Sequence, residues 1–428
     1  MNARFSLRIC CTLGWLTLGV APPSAAIVSQ ASAQEWTRFR GPNGAGFAPA
    51  DIPGEWSEKD YNWRVELPGI GHSCPVFWGD KIFLTSAFED TCTRIVLCLD
   101  AADGKILWRR EFTSTVHTKH KMNSYASCTP TVDAERVYVA WTAPEEYTLM
   151  ALDHEGNDVW LRNLGPFVSQ HSGGTSPIIY QDMVILGNEQ GDEDANGISF
   201  LAAFDRRTGE PRWQRARQTE QVAYSTPCVF SRPGKPDELI FNSGAHGVTS
   251  IDPKNGNVNW EIDVLDKRSV SSPVIAGGLI FATCGSGAGG NYVAAVRPPA
   301  KKGEQPEIAY RVDDSAPYVP TVVAKGDRIF LWSDAGVVSC LEASTGKQIW
   351  KKRVGGAYSG SPVIAGDKLV CMSMDGTAVV VAASDEYELL GKNPLGEESR
   401  STPSIAGGRL YLRTYSHLIS LGGKKKKD

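Results

Sequence analysis

The sequence predicts an all-β fold: an eight-bladed β-propeller of four-stranded antiparallel blades, closed by an N-terminal strand that completes the last blade. Two repeated features predict it. An apolar alternation runs into an acidic turn, with Gly four residues before Trp, at Gly104/Trp108, Gly156/Trp160, Gly209/Trp213, Gly256/Trp260 and Gly346/Trp350. A Ser/Thr-rich tripeptide opens each unit, ending at Pro75, Pro130, Pro177, Pro227, Pro273, Pro320, Pro362 and Pro403, at intervals of 41 to 55 residues. Self-similarity on that scale marks a propeller or solenoid, and eight openings mean eight units.

Each unit reads as strands A to D. Proline at the first residue of a strand removes no ladder bond, so it suits the start of A. Turns such as Gly79-Asp80 and Gly366-Asp367 join A to B. Between C and D the acidic residue bonds the backbone ahead of it, and Gly supplies the positive φ of a bulged turn. Trp on strand D is a large apolar side chain for packing between units. These Asp, Gly and Trp residues are therefore read as structural.

Two units are worn: residues 296–310 carry the polar insert PPAKKGEQPE and place Tyr310 at the Trp position, and residues 383–390 keep only strand character. The eighth unit ends after RLYLRTYSHLISL with no strand D. Residues 61–68, YNWRVELP, match a strand D with nothing before it, and so are expected to close the ring, leaving no open edge.

The organisation that follows is a signal peptide at 1–33, an irregular lead-in at 34–60, the propeller at 61–422 and a basic tail at 423–428. Arg4 and Arg8 precede a short apolar core, and Ala31-Ser32-Ala33 forms a cleavage site. An exported protein, periplasmic or extracellular, is expected, with no transmembrane helix in the mature chain and a monomeric state. The lead-in is expected to pack over the propeller wall. A net charge of −4 gives no basic surface for nucleic acid. Beyond the signal segment eight cysteines sit singly in strand-like runs, read as buried small hydrophobes. Only Cys92 with Cys98, and Cys74 with Cys128, are candidates for pairing, and no C-x-x-C occurs.

The repeats resemble the quinoprotein (PQQ-type) β-propeller repeat, whose phrase is met at Asp100-Ala-Ala-Asp-Gly-Lys, Asp205-Arg-Arg-Thr-Gly-Glu and Glu342-Ala-Ser-Thr-Gly-Lys, each followed by Trp. The resemblance spans residues 63–422. The opening WTRFRGPNGAGF also looks like that of secreted planctomycete-type members, which are mostly of unassigned function. One branch implied is that of quinone-dependent dehydrogenases. Another is non-catalytic, such as the BamB-like lipoprotein scaffold of the outer-membrane β-barrel assembly machinery.

For the alcohol-oxidising members the resemblance implies pyrroloquinoline quinone (PQQ) stacked between an adjacent-cysteine disulfide and a Trp, beside calcium held by carboxylates and an Asn. The mature chain has no adjacent cysteines and no haem motif. Its best calcium candidate, residues 188–196 (NEQGDEDAN), lacks the D-x-D-x-D-G spacing and reads as a solvated acidic turn. Gly285-Ser-Gly-Ala-Gly-Gly290 satisfies G-x-G-x-x-G, but a strand follows it instead of a helix, so it reads as a B-to-C loop.

In such a fold the D-to-A and B-to-C loops share one face. His72, His117, His120 and His171 fall in D-to-A connections and His246 in a B-to-C connection, with Lys121, Arg268 and Arg400 on the same face. Tyr125, Tyr224, Tyr318 and Tyr358 stand just before strand A. This pattern predicts a polar pocket at the channel mouth for an anionic or polyhydroxylated ligand, a metal, or a protein partner. The favoured reading is a binding or scaffold protein with no catalytic residue, metal or cofactor. The alternative is a quinoprotein-like oxidoreductase using PQQ with calcium at a rearranged site.

Overall fold

The bulged turn sets the shape of every blade. In the computed structural model, Gly104, Gly156, Gly209, Gly256 and Gly346 all have φ between 71° and 86°. The C–D ladder shifts register beside each of them, at Cys98/Leu99, Asp158/Trp160, Ala203/Phe204, Ser250/Ile251 and Cys340/Leu341. The acidic residue acts as expected: Asp100 accepts the Ala102 N–H at 2.7 Å.

The structure describes residue 1 and residues 36–191, 198–219, 221–301 and 303–423, so the predicted signal peptide and the end of the basic tail lie outside the described residues. Residues 34–428 form one compact unit. It contains eight antiparallel sheets, each holding four propeller strands in sequential order. Blade 1 runs Val76–Trp78, Lys81–Phe88, Thr93–Asp100 and Ile106–Phe112. Strands B and C are buried on both faces between neighbouring blades, whereas strand D alternates as an outer strand must. Strand A is two or three residues long in every blade, because the circumference shrinks towards the axis. No helix among the described residues is long and apolar enough to cross a membrane.

The ring closes as the unpaired N-terminal strand predicts. Tyr61–Glu66 supplies strand D of blade 8, pairing antiparallel with His417–Gly422, with Glu66 opposite His417 and Trp63 opposite Ser420. The fully buried Arg413 ties this blade to blade 1, donating to the Ser73 carbonyl at 2.9 Å and the Thr85 carbonyl at 2.6 Å.

Gly and Trp of one sequence phrase serve different blade contacts. Trp63, Trp108, Trp160 and Trp213 dock on the turn of the next blade: a methyl on Gly104 would lie 2.7 Å from the Trp63 ring, and one on Gly209 2.7 Å from Trp160. The indole N–H then donates to that turn, Trp63 to the Ala101 carbonyl at 3.2 Å and Trp108 to His154 at 2.9 Å. Tyr310 does both tasks at its Trp position, lying over Gly346 and donating to the Ala343 carbonyl at 2.6 Å. Where the polar insert replaces the turn of blade 5, Trp260 loses that partner and donates to Glu238 at 2.7 Å.

The opening tripeptides form a belt around the channel. Cys74 N–H donates to Thr129 Oγ1, Thr129 to Ser176, Ser176 to Thr226 and Thr226 to Ser272, at 3.0 to 3.4 Å. Ser272 then donates to Thr321, Thr321 to Ser361 and Ser361 to Thr402, at 2.9 to 3.0 Å. This explains the Ser/Thr before Pro: each hydroxyl satisfies the backbone of the preceding blade. It also corrects the sixth marker. Thr321 carries the hydroxyl and strand A begins at Val323, so Val322 holds the proline position and Pro320 stands two residues early.

The lead-in departs from its predicted place on the wall. Residues 36–48 enter the ring and fill the channel. Trp36 and Thr37 carbonyls accept the N–H of Phe77 and Val132 at 2.9 Å each, on strand A of blades 1 and 2. Asn43 exchanges two bonds of 2.7 Å with Val229 in blade 4. Phe47–Ala48 adds a fifth, parallel strand to blade 7 against Ile364 and Ala365. Arg40, fully buried, donates to the carbonyls of Val322 at 2.7 Å and Pro362 at 2.9 Å. The channel therefore has a core. Further on, the lead-in backbone crosses blade 7 where its Trp should be: Gly391 occupies that ladder position, and a methyl there would lie 2.2 Å from the Gly54 carbonyl.

All eight described cysteines are buried and unpaired, so neither candidate pair is a disulfide. Burial pushes the Cys98 and Cys128 thiols up to about 12, which leaves them un-ionised at neutral pH.

Candidate functional site

The plug turns the channel into a cup. Phe39, on the inserted loop, forms part of the wall of a cavity of about 540 Å³ that opens on the face of the D-to-A loops. All eight blades line it, each mostly through the residues just before strand A. Thr129, Ser176 and Thr226 of the hydroxyl belt border it, with Met122, Val270 and Met374 as apolar surface.

Five of the predicted residues are brought together here: His72, His120, His171, Arg268 and Arg400. His120 and His171, from neighbouring D-to-A loops, lie with ring centroids 4.7 Å apart. Asn123 fixes that pairing, its amide donating to the His171 carbonyl at 2.7 Å and to Gly173 at 3.1 Å. Arg400 lies over the Tyr415 ring at 5.1 Å, and that same ring is 5.4 Å from His72.

Three predicted residues are elsewhere. His117 shares the long loop but turns aside, packing on Tyr125 at 4.9 Å and bonding the Thr115 carbonyl at 2.8 Å. Lys121 is exposed and does not line the cavity. His246 sits between blades, bonding the Gln218 carbonyl at 3.1 Å and Glu261 at 3.3 Å. The reason is radial: D-to-A loops end beside the axis, whereas a tight B-to-C turn such as that of His246 stays over the blade. Tyr125 likewise lies buried under Arg94 instead of in the cup. Tyr224, Tyr318 and Tyr358 do reach it.

Sequence reasoning missed Asp334, which lines the cup from the B-to-C loop of blade 6. Its carboxylate accepts the Tyr318 N–H at 2.6 Å and the Val319 N–H at 3.1 Å, while burial raises its pKa. Nothing in the composition of Trp332-Ser-Asp-Ala-Gly336 distinguishes it from an ordinary turn. Among the described residues the cup thus carries two guanidiniums and three imidazoles against one carboxylate that is already engaged.

His72 is held neutral. Burial, with Arg413 and Arg400 nearby, lowers its pKa to about 3. That value lies below the unfolded one of about 6.5, so the unfolded chain takes up the proton first. The His72 contribution is therefore complete above about pH 6.5 and is lost as pH falls towards about 3. In urea melts at pH 7.5 and 5.5, wild type should lose about 1.4 kcal/mol more stability than His72→Gln, nearly all of it below about pH 6.5. Parallel pH dependences would show that the imidazole is not the cause.

The residues do not fit the quinone–metal site that the resemblance implies. Among the described residues no Trp lines the cavity, Cys74 is its one cysteine, and Asp334 is its one carboxylate. Among the described residues no three His, Cys, Asp or Glu converge as metal ligands. The calcium candidate falls partly outside the described residues; within them, Glu189 is buried in an ion pair with Arg217 at 2.7 Å, and Asn188 bonds the Ile198 carbonyl.

The family model of the outer membrane protein assembly factor BamB matches residues 60–216, 192–317 and 308–424. Among solved structures, BamB from Moraxella catarrhalis is 14% identical, with a TM-score of 0.58 over 85% of this chain and 99% of its own. The quinohemoprotein alcohol dehydrogenase from Comamonas testosteroni is 13% identical, with a TM-score of 0.67 over 94% of this chain and 82% of its own. A europium-containing methanol dehydrogenase is 12% identical, with a TM-score of 0.62 over 89% of each chain. At these identities the likeness is one of fold. No curated protein matches the sequence significantly.

Proposed function

Since the chain belongs to the family of the outer membrane protein assembly factor BamB, we propose that it is an exported, non-catalytic binding or scaffold propeller. Its ligand, or a segment of a protein partner, seats in the cup at the channel mouth. The observation that carries this reading is the charge of the cup wall. Among the described residues the Arg268 and Arg400 guanidiniums face one carboxylate that two backbone N–H groups already satisfy, and the His72, His120 and His171 rings add hydrogen-bonding nitrogens. Such a wall favours anionic groups, and its serine, threonine and tyrosine hydroxyls suit a polyhydroxylated body. The fold itself leaves function open, since one propeller scaffold serves unrelated tasks.

The alternative, a PQQ-dependent oxidoreductase, is supported by the fold likeness to the two dehydrogenases. A carboxylated quinone would suit the two guanidiniums of the wall, but the donor set for its metal is not among the described lining residues.

Thermal shift against carboxylates, phosphate, sugars and acidic peptides tests the reading. A bound ligand at 100 times its Kd should stabilise the protein by about 2.7 kcal/mol. Ser359→Trp, which fills the cup from blade 7, should abolish the gain. Stabilisation undiminished in Ser359→Trp, or none with any of these compounds, would overturn it.

A further inference from the structure

Among the described residues Arg268 is the one cationic side chain of the cup with no hydrogen-bond or ion-pair partner. It makes no side-chain hydrogen bond and no ion pair, and its Nε is buried without an acceptor. Arg400, by contrast, has Glu398 at 3.7 Å and the Tyr415 ring beneath it. A half-buried guanidinium left unpaired costs stability unless something outside the chain completes it.

The surroundings of Arg268 are built and fixed. Its backbone bridges to Gly285, whose N–H donates to the Arg268 carbonyl at 3.2 Å. This holds the glycine-rich loop of blade 5 against the arginine. Lys267 ties down the far side of the loop, donating to the Gly290 carbonyl at 2.6 Å, and Asn291 accepts the Ser286 N–H at 3.1 Å. Gly287, between these ties, lines the cup, and its N–H has no acceptor among the described residues. A methyl on Gly287 would meet nothing within 4 Å. Gly287 therefore borders open space in the cup while its own N–H is not taken up by any described group. Tyr224 lines the same cup, its N–H donating to the Ser269 carbonyl at 3.1 Å, and its buried hydroxyl lies towards Ser169.

We propose that the blade-5 sector of the cup, formed by the Arg268 guanidinium and the Gly287 backbone N–H with the Tyr224 hydroxyl beside them, is an oxyanion-binding subsite. It takes a phosphate, sulfate or carboxylate group of the bound molecule. Planar guanidinium N–H groups match two oxygens of such a group, and a glycine backbone N–H can approach a third. The proposal rests on the cup being the binding site and names the chemistry of one part of it. The glycine loop takes up the anion here without any helix terminus, which is why the G-x-G-x-x-G match misleads as a dinucleotide motif.

The test titrates wild type, Arg268→Gln, Arg400→Gln and Gly287→Ala with inorganic phosphate, sulfate and acetate. Thermal stability is read against sodium chloride at equal ionic strength. Wild type should show saturable stabilisation by at least one of these ions, and the preferred ion identifies the class of oxyanion. Arg268→Gln should raise the apparent Kd at least tenfold, Gly287→Ala should weaken binding several-fold, and Arg400→Gln should change it less than either. Because Arg268 has no internal partner, Arg268→Gln without ligand should melt no lower than wild type, so loss of binding is separable from loss of folding. No saturable effect in wild type, or an Arg268→Gln titration equal to it, overturns the subsite. If carboxylates, sugars or acidic peptides still bind in a Ser359→Trp-sensitive way, the cup survives that failure; if they do not, both readings fall.

Discussion

A chain beginning after Glu66 should be severely destabilised, by roughly 5 kcal/mol or more on the scale of lost core burial, whereas one ending at Gly423 should melt within about a degree of full length. The longer deletion removes strand D of blade 8 and leaves the backbone of His417–Gly422 without its partner. It also removes Trp63 from the turn of blade 1 and takes Trp36 and Ile52 out of the largest apolar cluster. An open blade edge would favour association between chains, so the truncated protein should also aggregate. A third chain, beginning at Tyr61, keeps the closing strand and loses only the lead-in; its melting point should fall between the other two. Equal melting points for all three would refute closure by the N-terminal strand.

Arg40→Met should cost about 3 kcal/mol, measured by denaturant unfolding. The substitution keeps most of the volume but removes the guanidinium from the carbonyls of Val322, Pro362 and Gly44. Buried acceptors that lose a charged donor each cost about 1 to 3 kcal/mol. Burial already lowers the Arg40 pKa to about 9, the mark of a charge held only by its hydrogen bonds. Since Phe39 is the next residue, the same variant should also loosen the cup and weaken ligand binding. Unchanged stability would mean that the plug is a passive filler. The fully buried Arg40 and Arg413 thus do related work, one holding the plug to blades 6 and 7 and the other holding blade 8 to blade 1.

The blades were legible in the sequence because their turn chemistry is local. Asp100, Gly104 and Trp108 each act within a few residues or on one neighbouring turn, and the same demand recurs in blade after blade. Tyr310 was recognisable as a stand-in because it meets that demand at the same offset. The plug was not legible. Its bonds run from Arg40 to Pro362 and from Asn43 to Val229, and a glycine-rich irregular stretch carries no periodicity that could announce such partners. Gly391 in place of Trp was a trace of it, readable only once Gly54 is known to cross there. Pro320 misled by a different route, since proline in a loop and proline at a strand start look alike.

The site was legible to the extent that loop position fixes distance from the axis. His72, His120, His171, Arg268 and Arg400 precede strand A and reach the cup; His246 shares their face but lies too far out. Asp334 and Gly287 reach inward from B-to-C loops, where direction depends on the backbone path and not on residue type. Whether a polar loop residue meets a partner or a ligand is likewise settled by contacts. His117 finds the Thr115 carbonyl, while Arg268 finds nothing.

The claim that this mouth is a binding cup and not a quinone reaction centre is tested most directly by adding pyrroloquinoline quinone and calcium to the purified protein and assaying dye-linked alcohol and sugar oxidation. No turnover above that of the cup-filling Ser359→Trp variant is expected, including when the carboxylated quinone binds weakly through Arg268. Saturable quinone binding accompanied by turnover that Ser359→Trp abolishes would contradict it.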